Sequence, residues 1–150
     1  MQLPRKTSTA LLVLLASALP AMPAGAATSV EDEMVDQVNA VRAGQALKPL
    51  RPEPRLNRSA GSYAQWMLRH DYFGHQERIR ATAGFARLGE NLAWHTGWRP
   101  RVAGTVRAWL DSPGHRALML SSSFRWIGAG TARGRLNGLA GTTWVLHLGG

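Results

Sequence analysis

The spacing of apolar residues predicts an amphipathic helix near the start of the folded part of the chain. Over residues 31–43 the apolar side chains recur every three or four positions, at Met34, Val35, Val38 and Val41. Ser29 and Asp32 have the spacing of a capping box, and Gly44 ends the pattern. We therefore expect a first helix that buries one face.

A second helix is predicted after the proline-punctuated connection "QALKPLRPEP". From Leu56 to about His70 the apolar positions again follow helical spacing, and Trp66 lies at a position typical of the core. The periodicity then weakens over residues 71–97, where four glycines interrupt the chain. That segment is predicted to be a loop with one short strand around "ENLAW", and long loops in compact domains often carry function.

The remaining third of the chain predicts two short helices followed by strands. Residues 101–110 have the pattern of a third helix, and "HRALML" predicts a short fourth one. Ser112 can cap that fourth helix, and Pro113 suits its first position. The runs "RWIGAGTA" and "TTWVLHL" predict an antiparallel hairpin with a flexible tip at "RGRLNGLAG". Because helices precede strands, the class is predicted to be α+β, in a single domain.

The first 26 residues are predicted to be a secretory signal that is absent from the mature protein. Arg5 and Lys6 form a basic start, residues 10–19 an apolar core, and Ala24-Gly25-Ala26 a cleavage site of small residues. The domain is then expected to comprise residues 27–150, to be secreted or periplasmic, and to have no transmembrane segment after processing. A monomer is expected.

The composition narrows the possible partners of an exported protein. The formal net charge is +9, and the arginines are spread along the chain rather than clustered. This distribution favours a generally cationic surface that meets lipids, anionic envelope polymers or a protein ligand over a specific nucleic-acid site. The chain has no cysteine, so disulfides, thiol catalysis and thiolate metal sites are excluded.

Three titratable residues stand beside glycine in short motifs: His75 in "YFGHQ", Glu90 in "GEN" and His115 in "SPGHR". Two imidazoles and a carboxylate can bind zinc with one position open for water, or can exchange a proton. Their spacing alone does not place them together, and a histidine is more often a structural or surface residue. A structural or surface role is preferred for the other three histidines, His70, His95 and His147. A core role is preferred for four of the six tryptophans. The other two, Trp94 and Trp98, are expected to flank the cleft that His75, Glu90 and His115 would share.

The chain resembles the CAP superfamily of cysteine-rich secretory, antigen 5 and pathogenesis-related-1 proteins. The resemblance is carried by segments that occur in the order typical of that family: "VNAVRAGQALKPLRPEP", "YFGHQ", "GENLAW", "SPGHRALML" and "TTWVLHLG". The resemblance covers about residues 30–149 and is strongest to the short cysteine-free bacterial branch. It implies a compact α-β-α sandwich with helices packed around a small antiparallel sheet.

The resemblance also implies a central cleft with two histidines and two acidic residues. His75, Glu90 and His115 match three members of that tetrad. The fourth is usually a glutamate three residues after a tryptophan, and here Ser112 stands at that place with Asp111 just before it. Two alternatives are open: Asp111 or Ser112 takes the fourth position, Asp111 from a different angle, or Ser112 only caps the helix. Zinc or another divalent cation is expected on His75, Glu90 and His115, with the first two helices standing apart as support.

Two functions from different classes are compatible with these residues. The preferred hypothesis is a secreted binding module whose cleft holds a divalent cation and engages a lipid or cell-envelope ligand, as the family resemblance implies. The alternative is a metal-dependent hydrolase, an esterase or peptidase, with Glu90 as base and His75 and His115 on the metal. No serine stands in a recognisable nucleophile elbow, which favours the binding module.

Overall fold

The computed structural model describes residues 28–81 and 84–150, so the predicted signal, residues 1–26, lies outside the described residues. The elements in chain order are α1 (Val30–Ala43), β1 (Arg51–Pro52), α2 (Pro54–Arg69), β2 (Leu88–Thr96), α3 (Val102–Asp111), α4 (Pro113–Met119), β3 (Trp126–Leu136) and β4 (Leu139–Gly149). No helix in the described ranges is both long and apolar enough to cross a membrane.

The four strands form one sheet in the order β1-β3-β4-β2. β4 runs antiparallel to both of its neighbours, β2 and β3, while β1 pairs in parallel with β3. The α+β class is confirmed, and the sheet is mixed because β1 joins it. The sequence did not predict β1, since its two residues, Arg51 and Pro52, lie in the proline-punctuated connection.

The sheet is covered on both faces, which confirms the α-β-α layering. Residues of α1, α3 and α4 pack against one face, in a core that includes Ile127, Leu146 and Leu148. α2 packs against the other face, where it contacts Leu92 and Val145. Because side chains alternate across a strand, neighbouring residues of β4 serve both cores.

The last hairpin is tighter than the sequence predicted. β3 and β4 stay paired through "RGRLNGLAG" to Leu136 and Leu139, and only Asn137 and Gly138 form the turn, with φ of 49° and 76°. Two consecutive residues with positive φ are the requirement of the two-residue turn that matches strand twist. The prediction of a flexible tip was wrong because the Asn-Gly pair alone closes the hairpin.

The loop predicted over residues 71–97 contains a full strand, β2, rather than a short one. Leu88–Thr96 pairs with β4 along its whole length. Gly89, which weakened the strand pattern, lies against the ring of Phe124, and a Cβ built there would come within 2.9 Å of it. The glycine is therefore needed for packing and does not mark a loop.

The predicted tryptophan core is confirmed in part. Trp109 and Trp144 are buried, and the Trp109 indole donates to the carbonyl of Leu92 at 2.8 Å. Trp126 is half-buried. The core assignment of Trp66 was wrong: it is 38 % exposed on α2 and stacks along the helix surface.

One arginine of the predicted cationic surface is in the core. Arg42, near the end of α1, is only 2 % exposed. Its guanidinium donates to the carbonyls of Lys48 at 3.0 Å, Met119 at 2.6 Å and Ser121 at 3.0 Å. Burial lowers its pKa. Arg42 therefore holds the end of α1 to the end of α4.

Replacing Gly130 with alanine is expected to lower the free energy of unfolding by about 1–3 kcal/mol, the usual cost of overpacking. A Cβ at Gly130 would overlap the backbone nitrogen of Gly61, so α2 would have to move off the sheet. Urea unfolding would measure the change. Gly61→Ala is the control, because a Cβ there meets nothing within 4 Å and the substitution favours the helix. Equal stabilities of the two variants would contradict the expectation.

Candidate functional site

A buried carboxylate lies between two histidines on the face of the sheet that α2 covers. Glu90 of β2 pairs in register with His147 of β4. The Nε2 atom of His147 lies 3.0 Å from Oε2 of Glu90, and His75 Nδ1 lies 2.8 Å from Oε1. Glu90 is 7 % exposed and His147 is fully buried, so the hydrogen bond between Glu90 and His147 is shielded from water.

The segment between α2 and β2 delivers two residues to this carboxylate. Besides His75, Gln76 donates its backbone N–H to Oε1 at 3.2 Å and its side-chain amide to Oε2 at 2.9 Å. The Tyr63 hydroxyl of α2 donates to the carbonyl of Gly74 at 2.6 Å, which holds the segment beside the helix. Burial, and secondarily the charge of Glu90, raises the pKa of Tyr63 to about 12. The hydroxyl therefore remains a donor at neutral pH.

Glu90 is ionised in this environment. Burial by itself would raise the pKa, but hydrogen bonds from His147, Gln76 and His75 outweigh it and hold the pKa of Glu90 below its ordinary value. An ionised carboxylate only accepts, so His75 carries its proton on Nδ1 and His147 carries one on Nε2. The His75 side chain is 60 % exposed, and its Nε2 has no hydrogen-bond partner among the described residues.

His115 lies in the first turn of α4, half-buried, with Pro113 in the first helical position as predicted. Asn91 of β2 donates to its backbone carbonyl at 3.1 Å. Burial and, to a smaller extent, the charge of His75 lower the pKa of His115. The fold thus joins His75 to Glu90 directly and keeps His115 within electrostatic range of His75. That His115 shares their cleft stays a prediction.

Among the described residues, neither candidate for the fourth tetrad position is hydrogen-bonded to Glu90 or His75. Asp111 is exposed at the end of α3. Ser112 stands at the N-cap of α4, but its side chain makes no capping hydrogen bond; its carbonyl accepts from the N–H of Arg116 at 2.9 Å. The predicted cap is therefore correct in position and wrong in its side-chain bond.

His147 is the residue that the sequence pattern did not reveal. The sequence predicts a plain structural role for it, without a partner, whereas it is hydrogen-bonded to Glu90. Its Nδ1 is buried with no partner among the described residues. One signal was available: a single histidine inside the apolar run "TTWVLHL" must find a polar partner if that strand is buried.

His75 and Gln76 also line an open cleft of about 750 Å³. α2 forms one wall, through residues that include Arg58, Trp66 and Arg69, and the segment after α2 forms the other. Glu90 and His115 are not among the described residues that line this cleft, so the expectation that α1 and α2 stand apart from a cleft shared by His75, Glu90 and His115 stays a prediction. Trp94 and Trp98 are not among the described residues that line this cleft, and their place beside the predicted cleft of His75, Glu90 and His115 stays a prediction.

The predicted three-ligand metal set fits these positions only in part. Both oxygens of Glu90 already accept hydrogen bonds, and among the described residues no three His, Cys, Asp or Glu side chains are grouped to hold a metal ion. Glu90 instead orients His75, as a carboxylate behind a ligating imidazole does. The free Nε2 of His75 and the ring of His115 remain suitable as nitrogen ligands.

Comparisons with known proteins agree with this architecture. The profile of the cysteine-rich secretory protein family, CAP, matches residues 35–148. The uncharacterized protein YkwD of Bacillus subtilis is 32% identical over 112 residues, which are 69% of this chain and 42% of that protein. The chain thus spans less than half the length of this relative.

Two solved structures have the same fold at low sequence identity. An extracellular protein containing a SCP domain from Bacillus anthracis matches with a TM-score of 0.65 and 21% identity, over 79% of this chain and 39% of that one. An outer surface protein from Borrelia burgdorferi matches with a TM-score of 0.61 and 20% identity, over 78% of this chain and 89% of that one.

Proposed function

The chain belongs to the cysteine-rich secretory protein family, and on that premise we propose that it is an extracellular binding module. Its site consists of His75, oriented by Glu90, at the wall of an open cleft. The cleft engages a lipid or cell-envelope ligand, and His75 with His115 can hold a divalent cation. Export is supported by the signal-like start of the sequence and by the two structural neighbours, which are an extracellular and an outer-surface protein.

One observation carries this proposal: an exposed imidazole is held in a fixed orientation by a buried, ionised carboxylate. Gln76 and His147 supply three of the four hydrogen bonds that keep Glu90 in place. A buried charge is costly unless it is so paired, and the carboxylate here positions a ring that faces outward. Such an arrangement suits recognition of a ligand in the cleft.

The cation site is expected to be weak, because only two imidazoles are available as ligands and the surroundings are cationic. Calorimetric titration of the protein with Zn²⁺ at pH 7 is expected to show binding that His75→Ala or His115→Ala abolishes. Glu90→Gln is expected to weaken binding by roughly tenfold or more, because the carboxylate orients His75. Affinity should fall from pH 7 to pH 5, since imidazoles must be neutral to bind.

His95→Ala is the matched control, because His95 is hydrogen-bonded to the carbonyls of Thr96 and Pro100, away from Glu90. It should bind zinc like the wild type. If the wild-type protein takes up no zinc, or if both site variants take it up equally well, the cation site is refuted.

The same pair also supports the alternative, a hydrolase, because a carboxylate-oriented imidazole with a free Nε2 can act as a general base. Against it, no hydroxyl is hydrogen-bonded to His75 among the described residues. Turnover of p-nitrophenyl esters or of a peptide library, lost together in His75→Ala and Glu90→Gln and retained in His95→Ala, would favour the enzyme. Binding without turnover favours the module.

A further inference from the structure

Resting on the proposed binding function, we infer that the cleft beside His75 takes an anionic glycan, that is, a polyhydroxylated chain bearing carboxylate or phosphate groups. The cleft lies between α2 and the segment after it. Its charge, its aromatic rings and its hydrogen-bonding groups each limit what can bind there, and together they select this class.

The charge of the cleft requires an anion. Five arginines and a single carboxylate, Glu77, are among the described residues that line it. Arg55 is paired with Glu53 at 2.8 Å, which leaves the positive charge of the cleft mainly to the other four arginines. These four are exposed: Arg58, Arg69, Arg78 and Arg80. Their guanidinium groups suit bidentate contact with carboxylate or phosphate.

The positive charge is extended along the helix rather than focused on one point. Arg58 and Arg69 both lie on the cleft side of α2, eleven residues apart in the sequence. At 1.5 Å rise per residue their backbones are about 16 Å apart. An isolated phosphate ion could contact one end only, whereas a chain with repeated anionic groups would satisfy both.

The indole of Trp66, which lines the cleft, is stacked on two neighbouring rings. Trp66 stacks on Tyr63, at 5.6 Å between ring centroids, and on His70, at 4.3 Å. Because Tyr63 precedes Trp66 by about one helical turn and His70 follows it by about one, the two rings cover opposite faces of the indole. Aromatic edges are electropositive and attract anions, but nucleobases require a free face. Trp66 therefore does not supply the stacking platform typical of a single-stranded nucleic-acid site.

The remaining lining favours hydroxyl groups over acyl chains. None of the described residues that line the cleft has an aliphatic side chain, and aromatic rings are its apolar groups, so an acyl chain would lie among rings and charged side chains. Ser59 and Ser62 supply hydroxyls and Gln76 an amide. The Ser59 Oγ is buried without a hydrogen-bond partner among the described residues. The exposed Ser62 hydroxyl and the Gln76 amide can hydrogen-bond to ligand hydroxyls.

The test is calorimetric titration in the presence of EDTA with four probes of known composition. Hexagalacturonate carries carboxylates, a glycerol-phosphate oligomer carries phosphates, maltohexaose is a neutral sugar, and a thymidylate 12-mer is a single-stranded nucleic acid. Binding of either anionic polyol, with no binding of maltohexaose and at least tenfold weaker binding of the 12-mer, supports the inference. The tighter of the two polyols identifies the anionic group.

The variant Arg58→Gln/Arg69→Gln is expected to weaken binding of the preferred polyol by tenfold or more. The control is Arg107→Gln/Arg133→Gln, which removes the same charge from exposed positions outside the cleft and should change affinity less than about threefold. Equal effects of the two double variants, or tighter binding of the nucleic acid, would overturn the inference.

This outcome can be separated from that of the proposed cation site. If the protein binds zinc but neither anionic polyol, this inference is overturned and the cation site stands. If it binds the polyol in EDTA but fails to bind zinc in the absence of chelator, the inference is supported and the cation site is refuted.

Discussion

Replacing Arg42 with methionine is expected to lower the free energy of unfolding by about 3 kcal/mol or more, one of the two largest effects predicted here. Arg42 supplies hydrogen bonds to the carbonyls of Lys48, Met119 and Ser121, and it is nearly fully buried. Methionine fills similar volume but leaves these acceptors without their charged donor. A hydrogen bond to a charged group contributes about 1.5–3 kcal/mol to stability. The variant no longer has the cost of burying a charge, and this gain offsets part of the stability lost with the hydrogen bonds.

Urea unfolding at pH 7 would measure this loss through the transition midpoint and slope. Arg107→Met is the control, because Arg107 is exposed on α3 and its replacement should stay within about 0.5 kcal/mol. Arg42→Lys should be intermediate, because an ammonium keeps the charge but lacks the planar fork that reaches several carbonyls. A loss for Arg42→Met no greater than that for Arg107→Met would show that the buried guanidinium does not hold α1 to α4.

The second large effect is expected from Glu90→Gln, which should lower the free energy of unfolding at pH 7 by about 2–3 kcal/mol. The carboxylate accepts four hydrogen bonds from His75, Gln76 and His147. An amide of the same shape must turn its NH₂ toward some of these donors. The variant therefore loses charge-assisted bonds and places donors against each other in a buried site.

This effect is expected to depend on pH in a defined direction. The folded-state pKa of Glu90 is lowered, so the folded protein binds fewer protons here than the unfolded chain does. Its contribution to stability is full above the unfolded pKa of about 4.3 and is lost as the pH falls through the folded value. The gap between wild type and Glu90→Gln should therefore narrow below about pH 4.3.

His115 adds a separate dependence that begins at higher pH. Its folded pKa is also lowered, so stability falls as the pH drops below about 6.5, the ordinary histidine value. The wild type and Glu90→Gln both contain His115 and share this loss of stability. The difference between their free energies of unfolding therefore reports on Glu90. Urea unfolding of both at intervals from pH 7 to pH 3 would measure it. A gap that stays constant across this range would mean that Glu90 is not ionised in the folded protein.

Local sequence pattern was sufficient for most of the secondary structure and for part of the site. The predicted first helix, residues 31–43, matches α1 to within one residue, and the capping box of Ser29 and Asp32 is present. Helix periodicity and caps act over one or two turns, so a sequence window contains the whole signal. The motif around Glu90 likewise identified the carboxylate on which the site is centred, and the family resemblance identified His75 beside it.

Only the tertiary structure determined which distant segments of the chain are in contact. His147 meets Glu90 because β2 and β4 pair in one register, and a shift of one residue would turn either side chain to the opposite face. Arg42 is buried because the end of α4 lies over the end of α1. Trp66 is exposed although its spacing is helical, because only part of the α2 surface faces the sheet. The sequence thus determines which residues share an element, while burial, pairing and the cationic wall of the cleft depend on how the elements pack.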